Sequence, residues 1–226
     1  MNKEDTIFLH PPGEHISDFI RSSKTFYEID LLHFIERNYK NQNEIIDVGA
    51  NIGNHSYFFA KYLNSSKVHA FEPMDVNLKL LYKNLDPVSY KTIIYPFALS
   101  NIEEEIPVYN TELESNFGAF SLCKSKDNLE IHTKIKTYKL DTFKLKNISM
   151  IKIDVENHEN QVLEGAKETI MNNKPIIFIE NLYHHHHYPE LIKDEDTHKK
   201  ILQGYNYQKK YSNIGNTMMD LWIPSD

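Results

Sequence analysis

The 226 residues suffice for one α/β domain, and a 40% apolar share with twelve Phe and fourteen Tyr supplies a sizeable core, which excludes a disordered chain. A formal charge of −7 argues against a broad phosphate-neutralising face, so no nucleic-acid partner is expected. The single cysteine, Cys123, excludes an internal disulfide. With no secretory pattern at the N-terminus and no apolar run of membrane-spanning length, a cytoplasmic chain is expected.

Pro11-Pro12-Gly13 breaks the chain early. After it Ile16, Phe19 and Ile20, then Tyr27, Leu31, Phe34 and Ile35, recur at helical spacing and predict two short amphipathic helices. These make an N-terminal helical extension over residues 1–40, with one core over 41–226. "EIIDV" reads as a strand, "NHSYFFAKYL" as a helix, "KVHAFEP" as a strand, "MDVNLKLLYKNL" as a helix and "KTIIYPFALS" as a third strand. From Glu103 to Leu140, "EEIPVYN", "FGAFSL" and "IHTKIKTYKL" read as short strands of an antiparallel insertion. The alternation then returns with "SMIKIDV" (strand), "NHENQVLEGAKETIMNN" (helix) and "KPIIFIEN" (strand), before a helix and a final strand pair in the tail. Such alternation predicts a mostly parallel sheet with helices on both faces.

Asp47-Val48-Gly49-Ala50-Asn51-Ile52-Gly53 lies at the carboxyl end of the first predicted core strand, where ligands sit in open α/β sheets. Glycine there permits a tight turn and close approach of a ligand to the backbone. The spacing Gly-x-x-x-Gly is not the dinucleotide fingerprint. Glu72, which ends the next strand, supplies the second feature: an acid at that point accepts hydrogen bonds from the hydroxyls of a ribose. Together they point to a nucleoside.

"IIDVGANIGNHSYFFAKYL", "VHAFEP", "FALSN", "LDTF" and "IKIDVENHENQVLEGA", in this order, resemble the FkbM family of S-adenosylmethionine-dependent O-methyltransferases over roughly Phe26 to Asn181. The resemblance implies a class I methyltransferase Rossmann-like fold, a seven-stranded sheet with its last strand antiparallel, and methylation of a hydroxyl on a sugar or natural product. It implies that Asp47 and the loop of Gly49, Ala50, Asn51 and Gly53 hold the methionine part of S-adenosylmethionine, and that Glu72 holds its ribose. Met74 would lie against the adenine, flanked by Ala98, Leu99 and Ser100. Tyr27 and Glu28 match a stretch at the lip of the site, and Asn116 and Gly118 a loop facing the acceptor. Asn157 stands where the family's "DVEG" has glycine, which is expected to alter the turn slightly.

Methyl transfer to an alcohol needs the acceptor oxygen held in line with the methyl, and the alcohol must also lose its proton. His158 is the leading candidate for the base because its ordinary pKa lies near neutrality, with Asp154 its rival. Glu156 suits the acceptor's hydroxyls, although acids in a first helical turn also complement the helix dipole. His184 and His185, within "YHHHHY", suit either an acceptor-lining loop or a plain surface loop. No spaced carboxylate cluster for a hard cation is present in the sequence, so no metal is expected. A sugar or glycan acceptor is the leading expectation; a small non-sugar metabolite and a non-catalytic cofactor-binding module are the alternatives. The N-terminal helices suit either a cover over the cofactor or a homodimer face.

Overall fold

The computed structural model describes residues 7, 9, 11–109, 131–181 and 195–225. Two helices lead in, α1 (His15–Ser23) and α2 (Ile29–Tyr39). The carboxylate of Glu14 starts α1 by accepting from the amides of Ile16 and Ser17 at 3.0 and 2.7 Å, which satisfies two of its free amides. The core follows as β1 (Glu44–Val48), α3 (Asn54–Tyr62), β2 (Lys67–Phe71), α4 (Asp75–Leu85), β3 (Thr92–Tyr95) and β4 (Ala98–Leu99). Next come β5 (Glu105–Tyr109), β6 (Ile131–Tyr138), β7 (Ile148–Ile153), α5 (Glu159–Gly165), α6 (Lys167–Asn173) and β8 (Ile176–Glu180). The chain finishes with α7 (Glu195–Gly204), β9 (Tyr207–Tyr211) and β10 (Met219–Pro224).

Seven strands form one sheet in the order β3-β2-β1-β7-β8-β10-β9. Its central pairs are parallel, and β10 runs antiparallel to both β8 and β9. This is the expected seven-stranded α/β arrangement. Side chains alternate between faces along each strand, so the sheet builds a core on either side. Ile45, Ala70, Met150 and Phe178 pack toward α2, α3 and α4. Ile46, Phe71, Ile151 and Ile177 pack toward α5 and α7.

Two elements differ from the expectation. "KTIIYPFALS" is not one strand: β3 pairs with β2 in the large sheet, while β4 pairs with β6 in a separate three-stranded sheet. Pro96 between them has no amide to continue a ladder, and the ring of Phe97 stacks on Phe143 at 5.5 Å. That second sheet carries the antiparallel β5–β6 pair, whereas "FGAFSL" lies outside the described residues. The helix expected over 157–173 is two, meeting at Ala166. Asp141 supplies the reason, because its carboxylate accepts from the amides of Glu168 and Thr169 at 2.9 and 2.7 Å and so caps a new helix start. Among the described residues no helix is long and apolar enough to cross a membrane.

Candidate active site

A crevice of about 1250 Å³, solvent at its mouth included, opens at the carboxyl ends of β1, β2, β7 and β8. Each of these four strands has an acid within one residue of its end: Asp47, Glu72, Asp154 and Glu180. All four keep the alternation of Ile45, Ala70, Met150 and Phe178, which directs them to the α3 side of the sheet.

The loop after β1 is held against its neighbours by backbone bonds. The amides of Gly49 and Ala50 both donate to the carbonyl of Phe71 at 3.0 Å, and that of Gly53 donates to Ala50 at 2.8 Å. Gly49 has φ +78°, and a Cβ there would lie 1.9 Å from the carbonyl oxygen of Asp154. Only glycine lets the loop sit this close to β7.

Glu72, 4% exposed, faces that loop. Its Oε2 accepts from the amide of Asn51 at 2.9 Å, while Oε1 accepts from the amide of Met74 at 2.9 Å and from Asn77 Nδ2 at 3.2 Å. Burial pushes its pKa up, against the pull of these bonds. A carboxylate offers about four acceptor positions, so about one remains for a ligand, and holding two ribose hydroxyls requires one chain bond to be exchanged. Beside Glu72, Met74, Ala98, Val108 and Ile135 form a small apolar cluster that walls the crevice. A bare loop, a strand-end acid and an apolar slot are what a purine nucleoside requires, so the residues fit the cofactor that the sequence implies.

Asp47 is fully buried beneath the loop. Ser56 Oγ donates to its Oδ2 at 2.6 Å, and the ammonium of Lys152 lies 3.1 Å from its Oδ1. The same ammonium lies 3.3 Å from Asp154 Oδ2 and donates to the carbonyl of Gly49 at 3.2 Å. Burial alone would discharge Lys152, but the two carboxylates more than offset it and raise its pKa. Burial likewise opposes ionisation of Asp154, and Lys152 overcomes it, holding that carboxyl below its ordinary value.

The turn after β7 carries the remaining polar groups. Glu156 and Asn157 have φ +52° and +74°, so Asn157 adopts a left-handed conformation that glycine takes freely and asparagine tolerates. Glu159 reaches back to accept from the amide of Val155 at 3.2 Å. Burial, then the charges of Asp154 and Glu159, push Glu156 up to about 8. Burial pushes Glu159 up to about 7. His158, which precedes α5, places Nε2 3.0 Å from Ser100 Oγ, and burial lowers its pKa to about 4.

The N-terminal extension is clamped onto this end of the sheet. Asn54 Oδ1 accepts from the amide of Tyr27 at 2.9 Å and its Nδ2 donates to the carbonyl of Tyr27 at 3.1 Å. Glu28 lies 3.1 Å from His55 Nε2. Burial, then Glu28, raises the phenol of Tyr27.

Of the residues singled out from sequence, Tyr27, Glu28, Gly49, Ala50 and Asn51 line the crevice, as do Glu72, Met74, Ala98 and Leu99. Asp154, Glu156 and His158 line it too. Asp47, Gly53 and Ser100 lie behind its wall and act on it through neighbours. Asn116, Gly118, His184 and His185 lie outside the described residues. Sequence reasoning missed Lys152, a lysine inside an otherwise apolar strand, and Glu180, which ends "IIFIE" as Glu72 follows "VHAF".

The methyltransferase FkbM domain model matches residues 47–209, well over half of the chain. No curated protein matches by sequence. Among solved structures, the chain is similar to methyltransferase FkbM from Methylobacillus flagellatus KT, with 18% identity, a TM-score of 0.59, and coverage of 89% of this chain and 49% of that one. The chain thus spans about half the length of that structure. It is also similar to a putative caffeoyl-CoA O-methyltransferase from Staphylococcus aureus, with 13% identity, a TM-score of 0.56, and coverage of 96% and 93%. Precorrin-6y C5,15-methyltransferase from Geobacter metallireducens GS-15 aligns at 8% identity and a TM-score of 0.54 over 99% of this chain and 96% of that one. These likenesses establish the class I methyltransferase fold, and the domain match establishes more: the chain belongs to the FkbM methyltransferase family.

Proposed function

We propose that the chain is an S-adenosylmethionine-dependent O-methyltransferase that methylates a hydroxyl of a sugar, within glycan or polysaccharide biosynthesis. The observation that carries the cofactor assignment is Glu72, held across from the Gly49–Asn51 loop by the amide of Asn51 and flanked by the apolar cluster of Met74, Ala98, Val108 and Ile135. Glu72 would take a ribose hydroxyl, the cluster the adenine, and the loop the methionine part. Bound S-adenosylmethionine supplies an activated methyl group on a cationic sulfur.

The chain's own residues do the rest. Tyr27, Glu28, Asp154 and Glu156 border the free part of the crevice and offer acceptor oxygens and a phenol to a polyhydroxyl ligand. Holding such a ligand in line is the main catalytic contribution open to the protein. The carboxylates and the formal charge of −7 disfavour a nucleic-acid acceptor.

Incubating the chain with S-adenosylmethionine and a panel of neutral sugars and non-sugar alcohols tests this. S-adenosylhomocysteine should form with one or more sugars. Turnover confined to non-sugar alcohols would remove the sugar, and binding of the cofactor without turnover of any acceptor would remove the enzyme.

A further inference from the structure

Three of the four strand-end acids have a cation or hydrogen-bond donors of the chain beside them. Asp47 has Ser56 and Lys152, Glu72 has Asn51, Met74 and Asn77, and Asp154 has Lys152. Glu180 differs. Its Oε2 is closed off from solvent and has no hydrogen-bond partner among the described residues, although the residue lines the crevice. Among the described residues, the carboxyl of Asp154 lies close enough to exchange a hydrogen bond with it once one of the two is protonated. The groups facing it are acidic: Asp154 from the end of β7, and Glu156 and Glu159 from the turn into α5. Tyr27, ahead of α2, also faces it and is neutral. Lys152 is already committed to Asp47 and Asp154. Two carboxyl groups in hydrogen-bond contact do not both ionise, so they share one proton and titrate as a pair.

We propose that Glu180 is the proton acceptor of this site: it holds a proton shared with Asp154, releases it when a positive charge enters the crevice, and then takes the proton of the acceptor hydroxyl. This rests on the methyl transfer proposed above. As the acceptor oxygen bonds the methyl carbon, the carbon–sulfur bond breaks with its electron pair on sulfur, and the hydroxyl proton passes to the Glu180 carboxylate. The product thioether is neutral, so the pair ends with the single proton it began with and the cycle balances. His158 is the poorer acceptor. Its Nε2 is directed at Ser100, and burial leaves it a weak base.

Calorimetric titration of the whole chain in two neutral buffers of different ionisation enthalpy counts the protons released on binding. S-adenosylmethionine should release about one proton more than S-adenosylhomocysteine, which lacks the charge on sulfur. E180Q, whose amide can still donate to Asp154, should bind both ligands and lose that difference. Equal counts for the two ligands in the unaltered chain, or a difference that persists in E180Q, would overturn the assignment. If neither ligand binds, the methyl-transfer function falls and this inference with it. Should E180Q fail to fold, infrared difference spectroscopy of the unaltered chain reads the same event. A carboxylic acid band lost with S-adenosylmethionine and retained with S-adenosylhomocysteine supports the proposal, and its retention with both overturns it.

Discussion

Lys152 and Asp47 are direct partners in the register of β7 and β1, and their side chains meet 3.1 Å apart with the lysine 2% exposed. Because the same ammonium also reaches Asp154 and the carbonyl of Gly49, one buried cation ties the Gly49–Gly53 loop to the end of the neighbouring strand. Lys152→Met should therefore leave the buried carboxylate of Asp47 and the partly exposed one of Asp154 without their cation and destabilise the fold by about 3–5 kcal/mol in denaturant unfolding at neutral pH. The deficit should shrink as pH falls, because Asp154, held low by Lys152, then takes a proton. A variant as stable as the unaltered chain would show that the ion pairs are not holding the strands.

Gly49→Ala tests the contact from the loop side. A methyl group there would lie 1.9 Å from the Asp154 carbonyl, on a backbone with φ +78°. Strain of this kind amounts to about 1–3 kcal/mol, and relief requires the loop to lift from β7. Both unfolding stability and S-adenosylhomocysteine affinity should fall. Loss of stability alone would place the ligand away from the loop.

The carboxyl cluster predicts an unusual slope of stability with pH. Glu156, at about 8, and Glu159, at about 7, bind protons more tightly in the folded chain than their ordinary value of 4.5 allows, so the stability they contribute is lost as pH rises through those values. His158, lowered from 6.5 to about 4, acts in the opposite sense, adding stability as pH rises from 4 to 6.5. Above 6.5 its contribution is complete, and unfolding free energy should decline toward pH 8. Glu156→Gln should flatten the decline. A slope unchanged in that variant would contradict the cluster's role.

The same values separate candidate bases in turnover. A rate set by His158 would rise near pH 4 and be level at neutrality, whereas a rate set by the buried carboxyls should still climb through neutral pH. The pH profile of turnover, with any acceptor that reacts, distinguishes the two.

The strands and helices were legible because apolar residues alternate or recur with clear periods, and Glu72 was legible because an acid follows the β2 run just where ligands sit in such sheets. Lys152 was not. Its meaning depends on register: only when β1 and β7 are neighbours does "MIKIDV" set its lysine beside Asp47. Glu180 ends β8 much as Glu72 follows β2, but "IIFIE" alone is an apolar strand closing on one acid, and only the sheet order brings that end to the crevice. The break at Pro96 was readable from its missing amide, whereas the division of 157–173 into α5 and α6 depended on a distant cap from Asp141. Local pattern carried the elements, and long-range pairing decided the site.

The central claim is that a nucleoside lies between Glu72 and the Gly49–Asn51 loop. Titration of S-adenosylhomocysteine into the unaltered chain and into Glu72→Ala tests it most directly. Binding to the unaltered chain, weakened by about 1–3 kcal/mol in the variant, is the predicted result. Equal affinity for the two proteins would contradict it.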